Sequence, residues 1–300
     1  VPIDIASYRE WEGHARPTPL ATLAIAAAMV RRRMRIRFVR IIIFVYTIVA
    51  SGAAALVFYM TMQGRGDPRV RGQIRALGLE NVDILALLNR LFDESVGFWA
   101  VLLAALVGAP LIAEDRRAHA LPLYFSRPIG HIEYVLGKAL SAAFFLALLL
   151  ILPRIAMYAV QVGFSDVDGI AWQQVPTLLR GCFGGVLGIV LLTALSLGVS
   201  SLTERPTYAA IFLLGLVTVT SGIAYLLSGV LQEPEWLVLS PLTVLHRITL
   251  DLMPVPPELS TDTAYIEALN VSTAWAGLAA WTAASLGVLL WRVRRVEVVT

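Results

Sequence analysis

Few residues in this chain belong to types that do chemistry, and their spacing does not assemble them. The four histidines, His14, His119, His131 and His246, fall in four separate stretches. No His-Glu-x-x-His run sets two imidazoles and a general base on one helix face. No Gly-x-Ser-x-Gly elbow presents a nucleophile. Cys182 is the single cysteine, so no intramolecular disulfide and no zinc-type Cys/His set is expected. Gly137-Lys138-Ala139 has the Gly-Lys pair of a phosphate loop. It lacks the first glycine at the required spacing and the Ser/Thr that would reach magnesium. The residues therefore predict no catalytic, cofactor-binding or metal site, and no route by which the chain itself holds ATP.

Charge at the edges of apolar runs is the stronger signal. Arg31, Arg32, Arg33, Arg35, Arg37 and Arg40 are mixed with Met34, Ile36, Phe38 and Val39. They follow an apolar stretch introduced by Pro17 and Pro19, residues suited to a helix start. This predicts a helix on a membrane surface with its arginines toward anionic headgroups. Nucleic acid is a poor partner, because the patch would face the bilayer. A second group, Glu114-Asp115-Arg116-Arg117, precedes Leu121, Leu123, Tyr124 and Phe125 and ends at Arg127-Pro128. Proline biases its predecessor out of the helix. A short helix here, charged on one face and aromatic on the other, suits docking to a soluble partner. A solvated loop with membrane-dipping aromatics is the other reading of the same residues.

The elements that must position these groups follow from composition. Of 300 residues, 58% are hydrophobic and 15% charged, with mean hydropathy +0.74. Soluble domains are about a quarter charged. The balance disfavours a soluble enzyme, a disordered regulator and a disulfide scaffold. A span needs roughly 20 apolar residues to cross the hydrocarbon core. Runs free of charge, or broken only by Arg154, predict spans at about 41–62, 96–113, 134–162, 181–202, 207–231 and 270–291. The expected fold is an all-α polytopic membrane protein of six transmembrane helices. Residues 1–40 form its amino-terminal segment and interfacial helix, and 41–300 its membrane domain, with outer segments 63–95 and 232–269. An even number of spans puts both termini on one side. If that side is the cytoplasm, the inner segments hold sixteen Arg and Lys against seven outside. The positive-inside rule favours this orientation.

Four further features lie within the spans and outer segments. Arg154 follows Tyr134 by about 30 Å of helix, which predicts a place near the outer interface. There it could snorkel, pair, or touch a polar substrate. Otherwise the span cores lack ionisable residues, so ion-coupled transport is disfavoured and energy is expected from a partner. Gly181/Gly185 and Gly184/Gly188 form overlapping small-xxx-small pairs. They suit packing within the subunit, a dimer contact or the lining of a path. The apolar stretch 236–252 is too short to span and predicts a re-entrant or interfacial helix. The charged segment 63–97 reads as a solvated cap, helical or irregular, with no legible site.

These pieces together resemble the type-2 ATP-binding-cassette transporter permeases. The resemblance rests on Glu114-Asp115-Arg116-Arg117, on Leu123-Tyr124-Phe125-Ser126-Arg127-Pro128-Ile129, and on Leu136-Gly137-Lys138 opening the third span. Tyr8-Arg9-x-Trp11-x-Gly13, Arg205-Pro206-Thr207-Tyr208 and the ending Arg292-Val293-Arg294-Arg295 are similar to one bacterial branch. The likeness covers essentially the whole chain.

The resemblance implies a non-catalytic permease subunit in the bacterial cytoplasmic membrane, most simply an exporter. Two permeases would pair, as a homodimer, above two separate ATPase subunits that hold ATP and magnesium. Residues 114–128 would be the coupling helix, with Glu114, Asp115, Arg116, Arg117 and Arg127 as ATPase contacts beside Tyr124 and Phe125. Substrate would pass along spans two and five, with Phe212, Thr218, Ser221 and Tyr225 as lining candidates. The alternative is a mechanotransmitting subunit that relays ATPase motion to a periplasmic protein without moving a substrate. A membrane-embedded enzyme is disfavoured by the missing reaction centre.

Overall fold

Backbone in hydrocarbon must satisfy its own N–H and C=O groups, and a continuous helix does so. Among the described residues of the computed structural model, six helical units are long and apolar enough to cross a membrane. The structure describes residues 19–66, 83–120, 130–165, 169–253 and 264–294. Among them all regular structure is helical. Helix α1 (Pro19–Met34) is followed after a short break by α2 (Arg37–Gly66). The second spanning unit combines α3 (Ile84–Leu103), a π turn (Ala104–Gly108) and α4 (Pro110–Arg117). The third combines α5 (His131–Leu150) and α6 (Leu152–Phe164), broken ahead of Pro153. Then come α7 (Ile170–Leu202), α8 (Pro206–Leu231), a 3-10 turn (Pro234–Leu239), α9 (Pro241–Leu252), the single turn α10 (Ala264–Glu267) and α11 (Val271–Arg294).

Helix α7 is the axis of the bundle. Every residue from Leu191 to Ser201 is buried, and α11, α5, α8 and α9 pack around it. Helices α2 and α8 instead turn Phe44, Val49, Leu56, Ile211, Phe212, Leu226 and Val230 outward. Such apolar surface suits a lipid solvent, not water. Helix α1 lies along α5, where Gly137 permits the contact. A Cβ there would stand 2.9 Å from Ile25 and 3.1 Å from the Thr22 carbonyl.

The second unit begins earlier than its charge-free run. Helix α3 starts at Ile84, about three turns before Ser95. The segment 63–95 is thus helical through Gly66 and again from Ile84, while 67–82 lies outside the described residues. A run-based reading stops at charge, but these charges are neutralised by distant partners. Asp83 caps α3, accepting from the Leu85 and Ala86 N–H groups at 3.0 and 3.3 Å. Its second oxygen accepts from Thr177 of α7 at 2.8 Å.

The π turn is where Pro110 enters the unit. Ala109 donates to the Ala104 carbonyl at 2.9 Å, and α4 then restarts with unsatisfied N–H groups. Ser200, fully buried on α7, accepts from both Ile112 and Ala113 at 3.0 Å. Ser200→Ala would strand the Ile112 N–H, the last one at the start of α4 without a helical acceptor, at a cost of about 1–3 kcal/mol. A loss of about 2 kcal/mol is expected in thermal unfolding of the purified protein. A change below a few tenths would show that the restart does not need this hydroxyl.

Helix α4 ends in a Schellman turn. His119 donates to the Arg116 carbonyl at 3.1 Å and Ala120 to that of Asp115 at 2.9 Å. His119 takes φ 49°, a region that favours glycine. His119→Gly is therefore expected to raise stability by about 0.5–1 kcal/mol, read as a higher melting temperature. A lower one would indicate that the imidazole holds the turn.

Candidate functional site

Two polar clusters stand at opposite ends of the bundle, and the second unit joins them. The first surrounds Arg154, which is 1% exposed. Its Nε donates to the Leu150 carbonyl at 2.8 Å and its Nη1 to Asn89 Oδ1 at 3.1 Å, while Nη2 pairs with Asp93. The guanidinium also lies 4.9 Å from the Phe92 ring centre. Arg154 is thus paired inside the bundle instead of snorkelling to headgroups, and the cores are less free of charge than the runs suggest. Gly181 makes room for it. A Cβ there would stand 2.9 Å from Asn89 Oδ1 and 3.3 Å from Arg154 Nη1.

Beside this pair lies a cavity of about 460 Å³. Gly184, Gly185 and Gly188 form one wall, with Thr249 and Leu245 of α9 and Leu150 of α5 opposite. The small-xxx-small glycines therefore bring elements of one subunit together. Asp93, Glu94 and His246 bring polar groups to the cavity, and Phe98, Leu192 and Leu242 bring apolar ones. Arg90 lies between Glu267, at 2.9 Å, and Glu94, at 3.7 Å. Burial lowers the His246 pKa, against the pull of Asp93 and Glu94, so the imidazole is held toward its neutral form.

Of the lining candidates, Ser221 and Tyr225 of α8 reach this cavity. Ser221 also shares a 2.8 Å hydrogen bond with Ser240, whose hydroxyl caps α9. Phe212 lines a separate apolar recess with Leu202, Tyr208 and Ile211. Thr218 is exposed on α8 and borders neither.

The second cluster gathers most of the charges at the end of α4. Asp115 is buried and pairs with Lys138 at 2.7 Å, and it accepts from the Tyr134 hydroxyl at 2.7 Å. Lys138 is 0% exposed and also donates to the Leu111 carbonyl at 3.1 Å. Glu114 receives Arg33 at 2.7 Å and Arg32 at 3.3 Å, which ties α4 to α1. Arg116 donates to the Ser201 carbonyl and pairs with Glu204 at 3.2 Å. Arg117 is exposed. Tyr124, Phe125 and Arg127 lie outside the described residues. Arg31, Arg32, Arg35, Arg37 and Arg40 are exposed, but Arg37 and Arg40 begin the spanning helix α2 and do not belong to α1, and Arg33 is buried toward Glu114; these three depart from the surface-helix expectation.

Sequence reasoning saw Arg154 and Glu114–Arg117 but missed Asn89, Asp93, Glu94, His246 and the Lys138–Asp115 pair as members of clusters. Their one signal was ionisable residues at the margins of apolar helices. Among the described residues no group of three or more His, Cys, Asp or Glu is placed to hold a metal ion.

No curated protein matches the chain. The family model described as ABC-2 family transporter protein matches residues 23–293, which takes in all six spanning units and both polar clusters. The protein is therefore a multi-pass membrane protein, and it belongs to the ABC-2 transporter family, whose members are non-catalytic permease subunits that work with a partner ATPase.

Proposed function

We propose that this permease serves an ATP-driven exporter of the bacterial cytoplasmic membrane, with both termini in the cytoplasm. Two copies pair, and two separate ATPase subunits carry ATP and magnesium. The sixteen-to-seven division of Arg and Lys supports the orientation. The 3-10 turn and α9, packed against α8 and α11, act as the re-entrant element on the far side. Helix α1 lies at the inner membrane surface.

One observation carries the coupling: α3 and α4 are the two ends of a single 34-residue unit. Asp93 of α3 borders the cavity, and α4 carries Glu114–Arg117 into the segment 118–130. ATPase motion applied to that segment would reach the cavity through one helix interrupted only by the π turn. Glu114, Asp115 and Arg116 fasten α4 to α1, α5 and α7, while Arg117, Tyr124, Phe125 and Arg127 supply the ATPase contact. Substrate moves past Ser221 and Tyr225.

The contact is tested by combining Arg117→Glu with Tyr124→Ala and Phe125→Ala and pulling the tagged permease from native membranes. Loss of at least tenfold of the co-purifying ATPase, with an unchanged melting temperature, is expected. Full retention would overturn the coupling assignment. ATP-dependent substrate movement in proteoliposomes, with no periplasmic protein added, separates an exporter from a subunit that only relays motion.

A further inference from the structure

The apolar recess that Phe212 lines stands apart from the cavity, at the end of the bundle that carries Glu114–Arg117. Val199, Leu202 and Thr203 come from the end of α7, and Tyr208, Ile211 and Phe212 from the first turns of α8. They surround about 440 Å³. Val199 is buried, while Leu202, Ile211 and Phe212 are exposed, so the recess opens off the outer surface of the bundle. Apart from the hydroxyls of Thr203 and Tyr208, the side chains that line it are hydrocarbon.

A cation stands at its edge. Arg205 donates from Nη1 to the Tyr208 hydroxyl at 3.1 Å, and its guanidinium carbon lies 5.2 Å from the centre of the same ring. Both contacts hold the guanidinium over a residue that lines the recess. Among the described residues Arg205 has no carboxylate partner. The adjacent Glu204 is turned to Arg116 at 3.2 Å. A soluble anion would find the counter-charge but little that is polar below it. A cationic amphiphile would be repelled by Arg205. An apolar chain ending in an anionic group fits both parts. Its tail packs against the exposed side chains, and a phosphate suits the planar fork of a guanidinium.

We propose that this recess binds an anionic phospholipid, its phosphate paired with Arg205 and one acyl chain seated between Leu202, Ile211 and Phe212. The site does not rest on the permease reading; only the naming of its leaflet as the cytoplasmic one does.

The test places the purified protein in phosphatidylcholine nanodiscs with a trace of phosphatidylglycerol that carries a diazirine in one acyl chain. After photolysis the labelled peptides are mapped, and unlabelled phosphatidylglycerol of the same chains is raised as competitor. Label within 199–212 is expected, with about a fivefold preference for phosphatidylglycerol over phosphatidylcholine, the scale of one arginine near a membrane surface. Arg205→Gln should abolish the preference while the label persists, and Arg205→Lys should keep it. Ile211→Trp, which fills the recess and leaves the charge intact, should remove the label from 199–212 at an unchanged melting temperature. No label in that segment, equal competition by the two lipids, a preference that survives Arg205→Gln, or label that survives Ile211→Trp would each overturn the proposal. So would displacement of the label by glycerol phosphate alone, which would make the site one for a free phosphate. Label present in discs with one copy and absent from discs with two would assign the recess to a second copy of the chain, and would overturn it as well.

Discussion

Arg154→Met is expected to destabilise the protein by about 3–5 kcal/mol, the cost of leaving one member of a buried ion pair alone. The arginine holds three acceptors at once: the Leu150 carbonyl, Asn89 and Asp93. Methionine would fill the volume but leave Asp93 charged beside an apolar cavity, and Asn89 would lose its donor. Arg154→Lys keeps the charge and loses the fork, since one ammonium cannot match the planar spread of guanidinium donors. It should fall between wild type and methionine. The double variant Arg154→Met with Asp93→Asn should recover most of the loss, because no unpaired charge remains. Thermal unfolding in detergent of wild type, Arg154→Met, Asp93→Asn and the double variant reads the cycle. A single-variant loss below about 1 kcal/mol would mean that water reaches the pair.

The second large effect belongs to the other cluster. Asp115→Ala would strand Lys138, which is 0% exposed, and leave the Tyr134 hydroxyl without its acceptor. A loss of about 3–5 kcal/mol is again expected. Glu114→Gln gives a built-in comparison. Glu114 is 24% exposed and its partner Arg32 63% exposed, so solvent screens that attraction, and for the 9% exposed Arg33 the glutamine carbonyl remains as an acceptor. Its loss should be nearer about 1 kcal/mol. Equal effects from the two variants would show that burial does not set the scale at this junction. The double variant Asp115→Ala with Lys138→Met separates stability from coupling. It should restore the melting temperature, and if ATP-driven transport stays low in it, the ion pair itself transmits motion from α4 to α5.

The spans were legible because a charge-free run of about 20 residues is a property of one segment. Ile41–Gly64 or Pro206–Gln232 needs no partner to be a membrane helix, and the Ser126-Arg127-Pro128 stretch needs none to suggest the family. The beginning of α3 was not legible for the opposite reason. Arg90 and Asp93 look like loop residues until Glu267, 177 residues away, and Arg154, 61 residues away, neutralise them. The same holds at Pro110, where a break in the helix is tolerated because Ser200 arrives from α7 to accept from the N–H groups of Ile112 and Ala113. Glycine spacing marked a close approach on α7, but only the structure puts Asn89 and Arg154 against Gly181.

The candidate sites divide along the same line. By itself the sequence determined a six-helix membrane protein of this family, with its charges gathered at the ends of apolar runs. Local composition decides hydropathy and helix length, so no folding was needed to read them. The tertiary structure alone decided which charges face inward. Asp115 and Glu114 turn to Lys138 and Arg33, Arg117 turns out, and Glu94 shares Arg90 with Glu267 at the edge of the cavity. Pairing is a two-body quantity that depends on distance, and distance between residues far apart in the chain exists only once the helices have packed.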